Sequence, residues 1–229
     1  MSQNPRIDRL RNGGPHVLPS LLMCDFGNLE QEVARLEAAG VQALHLDVMD
    51  GNFVPNLTYG FPIVEALRRL TELPLDVHLM IDHPERYINN FAHAGADAIT
   101  VHVEATDQPG EVVSQIKSLG LAAGLALNPD TPLARVERHL DQCDLVLIMS
   151  VNAGFGGQKF NTIALEKLRR LNEIRPPGMM LEVDGGVNSS TIASCAAAGA
   201  DLFVVGSAIF RQPDYTAAVK DLHELLQTA

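Results

Sequence analysis

The sequence predicts an α/β chain folded as a single-domain (β/α)8 barrel. Three observations carry this: eight short β-rich apolar runs, helical periodicity between them, and one junction that nearly repeats three times. The runs are HVLPSLL (16–22), ALHLDVM (43–49), LDVHLMI (75–81), AITVHVE (98–104), LAAGLAL (121–127), LVLIMSV (145–151), MMLEVDG (179–185) and LFVVGSA (202–208). Each is short, β-branched or Leu-rich, and buried in character on both faces, as parallel strands require.

The intervening segments have a different period. NLEQEVARLEAAG places Leu29, Val33 and Leu36 on one helical face and stops at Gly40; LEKLRRLNEI and TAAVKDLHELLQ behave alike. The junctions AAGVQALHLD, HAGADAITVH and AAGADLFVVG each read as a helix, a glycine C-cap and a strand. Eight units in 229 residues give about 29 residues each, close to the roughly 250-residue size of such a barrel. No linker or composition shift divides the chain. The rival is an open doubly wound sheet; eight units, and no GxGxxG opening a helix, favour the barrel.

Composition bounds the function. Hydrophobic residues make up 46% and charged residues 20%, enough for a sizeable core, with aromatics at 5% and no Trp. A formal charge of −11 and a pI near 5.1 argue against nucleic acid or an anionic membrane as partner. Cys24, Cys143 and Cys195 form no metal-finger spacing and suit a reducing, cytoplasmic compartment. The start, MSQNPRIDRLRNGG, has no apolar h-region, so residues 1–14 are expected to be a polar, disordered tail, with the barrel over 15–229.

A barrel of this kind works at the C-terminal ends of its strands. Period-two alternation puts His45, Asp47 and Met49 on one face of the second strand, and Asp76, His78 and Met80 on one face of the third. The seventh offers Glu182 and Asp184, the first Ser20, and the fourth His102 and Glu104 beside Thr100. A single buried histidine is usually a satisfied core group. Several imidazoles and carboxylates at one end are harder to explain that way, because each unpaired one costs several kcal/mol. Two His and two Asp from three strands satisfy one another around a divalent metal such as Zn2+, Fe2+, Mn2+ or Co2+.

Glycines form a second group. NAGFGGQ (152–158), DGGVN (184–188) and GSAIF (206–210) follow the last three strands. Glycine there lets backbone N–H groups approach an oxyanion, aided by the next helix N-terminus. One such loop is merely a tight turn; three on one rim point to a phosphate, held without a basic surface. Lys117, Lys159, Lys167 and Lys220 all lie outside the strands, which excludes a Schiff-base aldolase and speaks against a decarboxylase with a strand Lys/Asp array.

Taken together, PSLL, HLDVMDGNFVPN, DVHLMI, ALNPDTPL, MSVNAGFGGQKF, VDGGVN and GSAIF closely resemble the D-ribulose-5-phosphate 3-epimerase family, in order and from about His16 to Phe210. The resemblance implies a TIM barrel that interconverts D-ribulose 5-phosphate and D-xylulose 5-phosphate in the pentose phosphate pathway, with one divalent metal ion per subunit, as a cytoplasmic homo-oligomer. It implies His45, Asp47, His78 and Asp184 as metal ligands, with Asp47 and Asp184 also the acid/base pair. It gives Ser20 and His78 to the substrate. Gly154, Phe155, Gly156, Gly157, Gly185, Gly186, Gly206 and Ser207 fall to the phosphate. Met49, Met80 and Met149 read equally as core filling or as a dry collar over the reacting carbons.

His102 and Glu104 stay outside the ligand set, as partners that could support it from behind. Cys24, near the mouth, reads as structural. The chain departs from the family pattern at Ala153, where proline is usual, and in LTYGFP (57–62), where Tyr59 and Phe61 can reshape the rim or a subunit contact. Two other functions share parts of this pattern. A 3-epimerase of a hexulose 6-phosphate such as allulose 6-phosphate keeps the same metal and acid/base groups. A non-catalytic sugar-phosphate binder keeps the glycine loops without needing both Asp47 and Asp184.

Overall fold

Eight parallel strands alternate with helices in the computed structural model, which describes residues 4–228. The strands are β1 (His16–Pro19), β2 (Leu44–Met49), β3 (Leu75–Met80), β4 (Ala98–His102), β5 (Ala122–Leu127), β6 (Leu145–Met149), β7 (Met180–Asp184) and β8 (Leu202–Val205). Hydrogen bonding runs β1-β8-β7-β6-β5-β4-β3-β2, and a single parallel bridge between Ser20 and His45 completes the ring. All eight expected strands are present, most trimmed at their C-terminal ends where the chain turns into the loops of the mouth.

The helices are α1 (Pro5–Asn12), α2 (Leu29–Ala38), α3 (Phe61–Leu70), α4 (Ile88–Ala94), α5 (Pro109–Ser118), α6 (Ala134–Glu137), α7 (Ile163–Ile174), α8 (Ile192–Ala197), α9 (Ser207–Phe210) and α10 (Tyr215–Gln227). Two apolar layers follow. The outward faces of the strands meet the helices in one large cluster that includes Leu44, Leu46, Val77, Leu79, Ile148 and Phe203. The inward faces form a smaller one, from Leu18, Ala98, Ala122, Leu145, Leu147, Met180 and Leu202.

The N-terminal segment corrects the sequence reading. Residues 1–3 lie outside the described residues, but 5–12 are helical rather than a disordered tail. Asn4 caps α1 by accepting from Arg6 N–H, Pro5 opens it, and Ile7 and Leu10 join the inner apolar cluster. Arg11 lies 3.4 Å from Asp144, and Arg6 lies 3.3 Å from Asp97. The segment is polar overall, yet its two apolar residues are three apart and share a helical face.

Strand entry repeats a device. Asp97, Asp144 and Asp201 stand just before β4, β6 and β8. Each donates its N–H to a residue of the preceding strand and accepts that residue's N–H on its carboxylate: Leu75 (3.0 Å), Ala123 (3.1 Å) and Leu181 (2.8 Å) respectively. Gln42 holds the same place before β2 but bonds instead to the carbonyl of Gly40.

Inside the upper barrel, size is distributed unevenly. Gly124 and Ala126 of β5 are small and buried, and they lie beside Thr100 and His102 of β4. A Cβ on Gly124 would collide with the Thr100 hydroxyl. The polar side chains of β2, β3 and β4 occupy the space so provided.

Leu10→Ala should destabilise the protein by about 2–5 kcal/mol, lowering the melting temperature by roughly 4–20 °C in differential scanning calorimetry. A disordered tail would leave the midpoint unchanged.

Candidate active site

A cavity of about 210 Å3 opens at the C-terminal end of the strands. Ser20, Asp47, Met49, Met80, Met149 and Asp184 form its inner wall. Gly154, Phe155, Gly156, Gly157, Gly185, Gly186, Gly206 and Ser207 form its rim, so all three glycine loops converge there. His45 and His78 are fully buried one layer below and do not reach the cavity wall. Met23, Asn152, Gln158 and Asn188 also line it. Met23 ends a short 3-10 helix and the other three sit in loops, where period-two reasoning has no grip.

Register explains why the polar groups meet. β2 and β3 pair so that His45 lies beside Asp76, and Asp47 beside His78. Asp47 is the junction. Its Oδ2 accepts the Ser20 hydroxyl at 2.5 Å, while its Oδ1 lies 3.1 Å from His78 Nδ1 and 3.3 Å from His45 Nε2. Burial alone would raise the pKa of this carboxyl, but the imidazoles of His45 and His78 hold it well below the usual range.

Asp184, arriving from β7, behaves oppositely: burial and the charge on Asp47 push it up to about 7. The site therefore holds one firmly ionised and one readily protonated carboxyl. For His78, burial dominates and lowers the pKa to about 4.

His45, Asp47, His78 and Asp184 offer four donor atoms within 4.8 Å of one another. His45 Nε2 points into this group, buried and hydrogen-bonded to nothing. An orphaned imidazole nitrogen beside two carboxylates and a second imidazole fits a divalent cation with mixed N/O preference.

Beneath lies a second set, which sequence reasoning put on the right faces but gave no role. His45 Nδ1 is 2.7 Å from Asp76 Oδ2 and 3.3 Å from Glu182 Oε1. Burial and the nearby Asp76 raise Glu182 to about 8, so it is protonated at neutral pH. Without a cation, burial opposes the charge on His45, but Asp47 and Asp76 hold its pKa well above the ordinary value. With a cation bound, Asp76 is placed to accept from Nδ1 and leave Nε2 to the group above, a common support for a metal-binding histidine.

On the other side, His102 Nε2 is 2.9 Å from His78 Nε2, and His102 Nδ1 is 3.1 Å from Glu104 Oε2. Burial opposes ionisation of Glu104, but hydrogen bonds from His102, Thr131 and Asn128 bring its pKa to about 2.

The rim is held by hydrogen bonds. Asn56 of the β2–α3 loop donates to Gly154 O at 2.7 Å, and Ala153 N–H donates to Asn128 Oδ1 at 2.9 Å. Gly186 has φ +63°, and a Cβ there would lie 2.6 Å from Phe160 N. The helices after β7 and β8 are short, six and four residues, so backbone amides contribute more at this rim than helix dipoles. No lysine or arginine lines the cavity. Met49 and Met80 pack with Val54 as an apolar patch, and Met149 joins the inner apolar cluster. Tyr59 and Phe61 do not line the cavity: Tyr59 packs on Phe26 and Phe61 on Phe91.

The model of the Ribulose-phosphate 3 epimerase family matches residues 16–210. The chain belongs to this family. It is 47% identical to the Ribulose-phosphate 3-epimerase of Bacillus subtilis over 210 residues, 90% of this chain and 97% of that one. It is 48% identical over 208 residues to the Synechocystis enzyme of the same name, covering 89% and 90%. The Ribulose-5-phosphate-3-epimerase, chloroplastic, of Arabidopsis thaliana is 47% identical over 222 residues, covering 95% and 79%.

Among solved structures, KGPDC from Streptococcus mutans superposes with TM-score 0.69 at 18% identity, covering 94% of this chain and 98% of that one. A tryptophan synthase alpha-subunit from Pyrococcus furiosus gives TM-score 0.69 at 18%, covering 93% and 98%. These last two share the barrel alone. Among the described residues, no helix is long and apolar enough to cross a membrane.

The Glu182 environment sets a pH dependence. The unfolded side chain ionises near 4.5 and the folded one near 8. Between these values the folded protein holds a proton that the unfolded chain releases. This contribution is therefore full below about pH 4.5 and declines as pH rises to 8. In chelator-treated protein, the fall in melting temperature from pH 5 to pH 8 should be smaller in Glu182→Gln than in wild type. Parallel pH slopes for the two would contradict the buried protonated carboxyl.

Proposed function

We propose that the chain epimerises D-ribulose 5-phosphate at C3 to D-xylulose 5-phosphate, through an enediolate, with Asp47 and Asp184 as the acid/base pair. The observation that carries this is the pair itself. The two carboxyls enter one cavity from β2 and β7, with β1 and β8 between them, and in the absence of a cation their protonation preferences are opposed. Inversion at a carbon next to a carbonyl needs that combination: a base on one face and an acid on the other.

In one direction, ionised Asp47 takes the C3 proton and protonated Asp184 returns its own to the opposite face. The carboxyls have then exchanged states, which the reverse reaction or exchange with solvent restores. The Ser20 hydroxyl, donating to Asp47 Oδ2, orients that carboxylate. His45, Asp47, His78 and Asp184 are the residues that would hold one Zn2+, Fe2+, Mn2+ or Co2+ ion. Such an ion supplies Lewis-acid stabilisation of the negative charge that develops on the substrate oxygens.

Met49, Met80 and Met149 keep the reacting carbons in an apolar setting that limits water access. The phosphate is taken by backbone N–H groups of the loops at Gly154–Gly157, Gly185–Gly186 and Gly206–Ser207, which lets a chain of charge −11 bind an anion without a basic patch. The reading includes a cytoplasmic homo-oligomer serving the pentose phosphate pathway, on the strength of the family relationship.

Incubation with ribulose 5-phosphate in deuterated water should give xylulose 5-phosphate labelled at C3, and chelation should abolish the exchange until a divalent cation is restored. Asp47→Asn and Asp184→Asn should each lower kcat by at least about 100-fold. A near-normal rate in either would rule out the two-carboxyl scheme. Gly186→Ala should raise KM for the phosphate ester by about tenfold or more, with a smaller change in kcat. An unchanged KM would remove that loop from the phosphate site.

A further inference from the structure

We propose that Glu104 is a positioning residue for the metal centre: acting through His102, it selects the tautomer of His78 that leaves Nδ1 bare for a cation. The inference rests on the reading of His78 as a ligand.

A neutral imidazole carries one N–H, so a chain of imidazoles has a direction. The direction here is fixed at the Glu104 end. Glu104 Oε1 accepts the backbone N–H of Asn128 at 2.8 Å and the hydroxyl of Thr131. A backbone N–H is always a donor and cannot reverse, so that oxygen stays an acceptor. The remaining oxygen, Oε2, is 3.1 Å from His102 Nδ1. The two hydrogen bonds donated to Oε1 favour the ionised carboxylate, in which Oε2 bears no hydrogen. His102 Nδ1 must therefore hold the ring's proton, which leaves His102 Nε2 bare.

That nitrogen lies 2.9 Å from His78 Nε2 across rings tilted by only 25°, so the His78 Nε2–H donates to it. His78 Nδ1 then has a lone pair. It faces Asp47 Oδ1 at 3.1 Å, and two lone pairs so placed are reconciled by a cation shared between them. His102 has little freedom to escape this logic: it is fully buried, with Phe53 against its ring at 5.0 Å.

Glutamate is needed here, and not merely a polar side chain of its size. In Glu104→Gln the amide oxygen remains with the Asn128 N–H, and the NH2 group turns toward His102. His102 Nδ1 must then accept, its Nε2 takes the hydrogen, and two N–H groups meet head-on at His78. The conflict is relieved when the His78 hydrogen moves to Nδ1, the nitrogen that a cation needs.

The test uses Zn2+-loaded protein labelled with 15N-histidine, read by long-range 1H–15N correlation, together with Zn2+ affinity from chelator competition. Wild type should show His102 protonated at Nδ1 and His78 at Nε2. Glu104→Gln should reverse the His102 pattern and weaken Zn2+ binding by about 10–100-fold. Thr131→Val removes a hydrogen bond from the same carboxylate without supplying a donor toward His102, so it should keep the wild-type tautomers and bind Zn2+ within about threefold of wild type.

Wild-type His102 protonated at Nε2 would overturn the proposal whatever the variants do. So would Glu104→Gln protein that binds Zn2+ like wild type, or an equal loss in Thr131→Val. Wild type that binds no divalent cation would bring down the ligand reading itself; a tightly binding wild type with an indifferent Glu104→Gln brings down this inference alone.

Discussion

Desolvation of the Asp47 carboxylate is the constraint on which the upper half of this barrel depends. A carboxylate stripped of water must find compensation within hydrogen-bond reach. Asp47 finds it in the Ser20 hydroxyl and in a cation site shared with His45 and His78, all brought from three strands by register alone. Those partners are themselves buried and create further demands, met by Asp76 and Glu182 on one side and by His102 and Glu104 on the other. The polar centre thus spreads outward as nested obligations until it reaches backbone N–H groups and the protein surface. The imidazole nitrogen of His45 left over at its middle asks for something the chain does not provide.

The same charge distribution resolves the conflict between an acidic protein and an anionic substrate. The carboxylates lie deep, tied to imidazoles. The rim is largely glycine backbone, whose N–H groups present partial positive charge, and on the proposed function it is this rim that takes the phosphate. On that reading, the depth of the cavity separates the proposed proton-transfer carboxyls from the anionic end of the substrate.

Much of this was legible in the sequence because period-two and period-3.6 patterns are local. The strands, their inward faces, and the placement of Asp47, Asp184 and the glycine loops at one rim all follow from counting residues along the chain. What failed is instructive. The segment NPRIDRLRN carries an Asn cap, a proline at the first helical position, and Ile7 three residues before Leu10. Its polar composition masked a helix whose burial comes from plugging a barrel, a tertiary fact. Asp76 and Glu182 were on the correct faces, but their joint hold on His45 is a matter of registers between strands that are distant in sequence. The family relationship supplied the rest, since no spacing rule chooses Asp47 and Asp184 over Asp76 and Glu182.

The aspartates at the strand entries give the barrel a grammar of pairs. Asp97 locks β4 to β3, Asp144 locks β6 to β5, and Asp201 locks β8 to β7. The fourth pair, β1 and β2, has Gln42 in that place and a single backbone bridge. The molecule is thus three clasped quarters and one unclasped, and the open joint is the one that carries Ser20 and His45. For evolution or engineering, the natural unit of exchange is the clasped two-strand quarter, which brings its own register with it. The loose quarter must instead be set by what it holds at the mouth, so its chemistry and its geometry have to be inherited together.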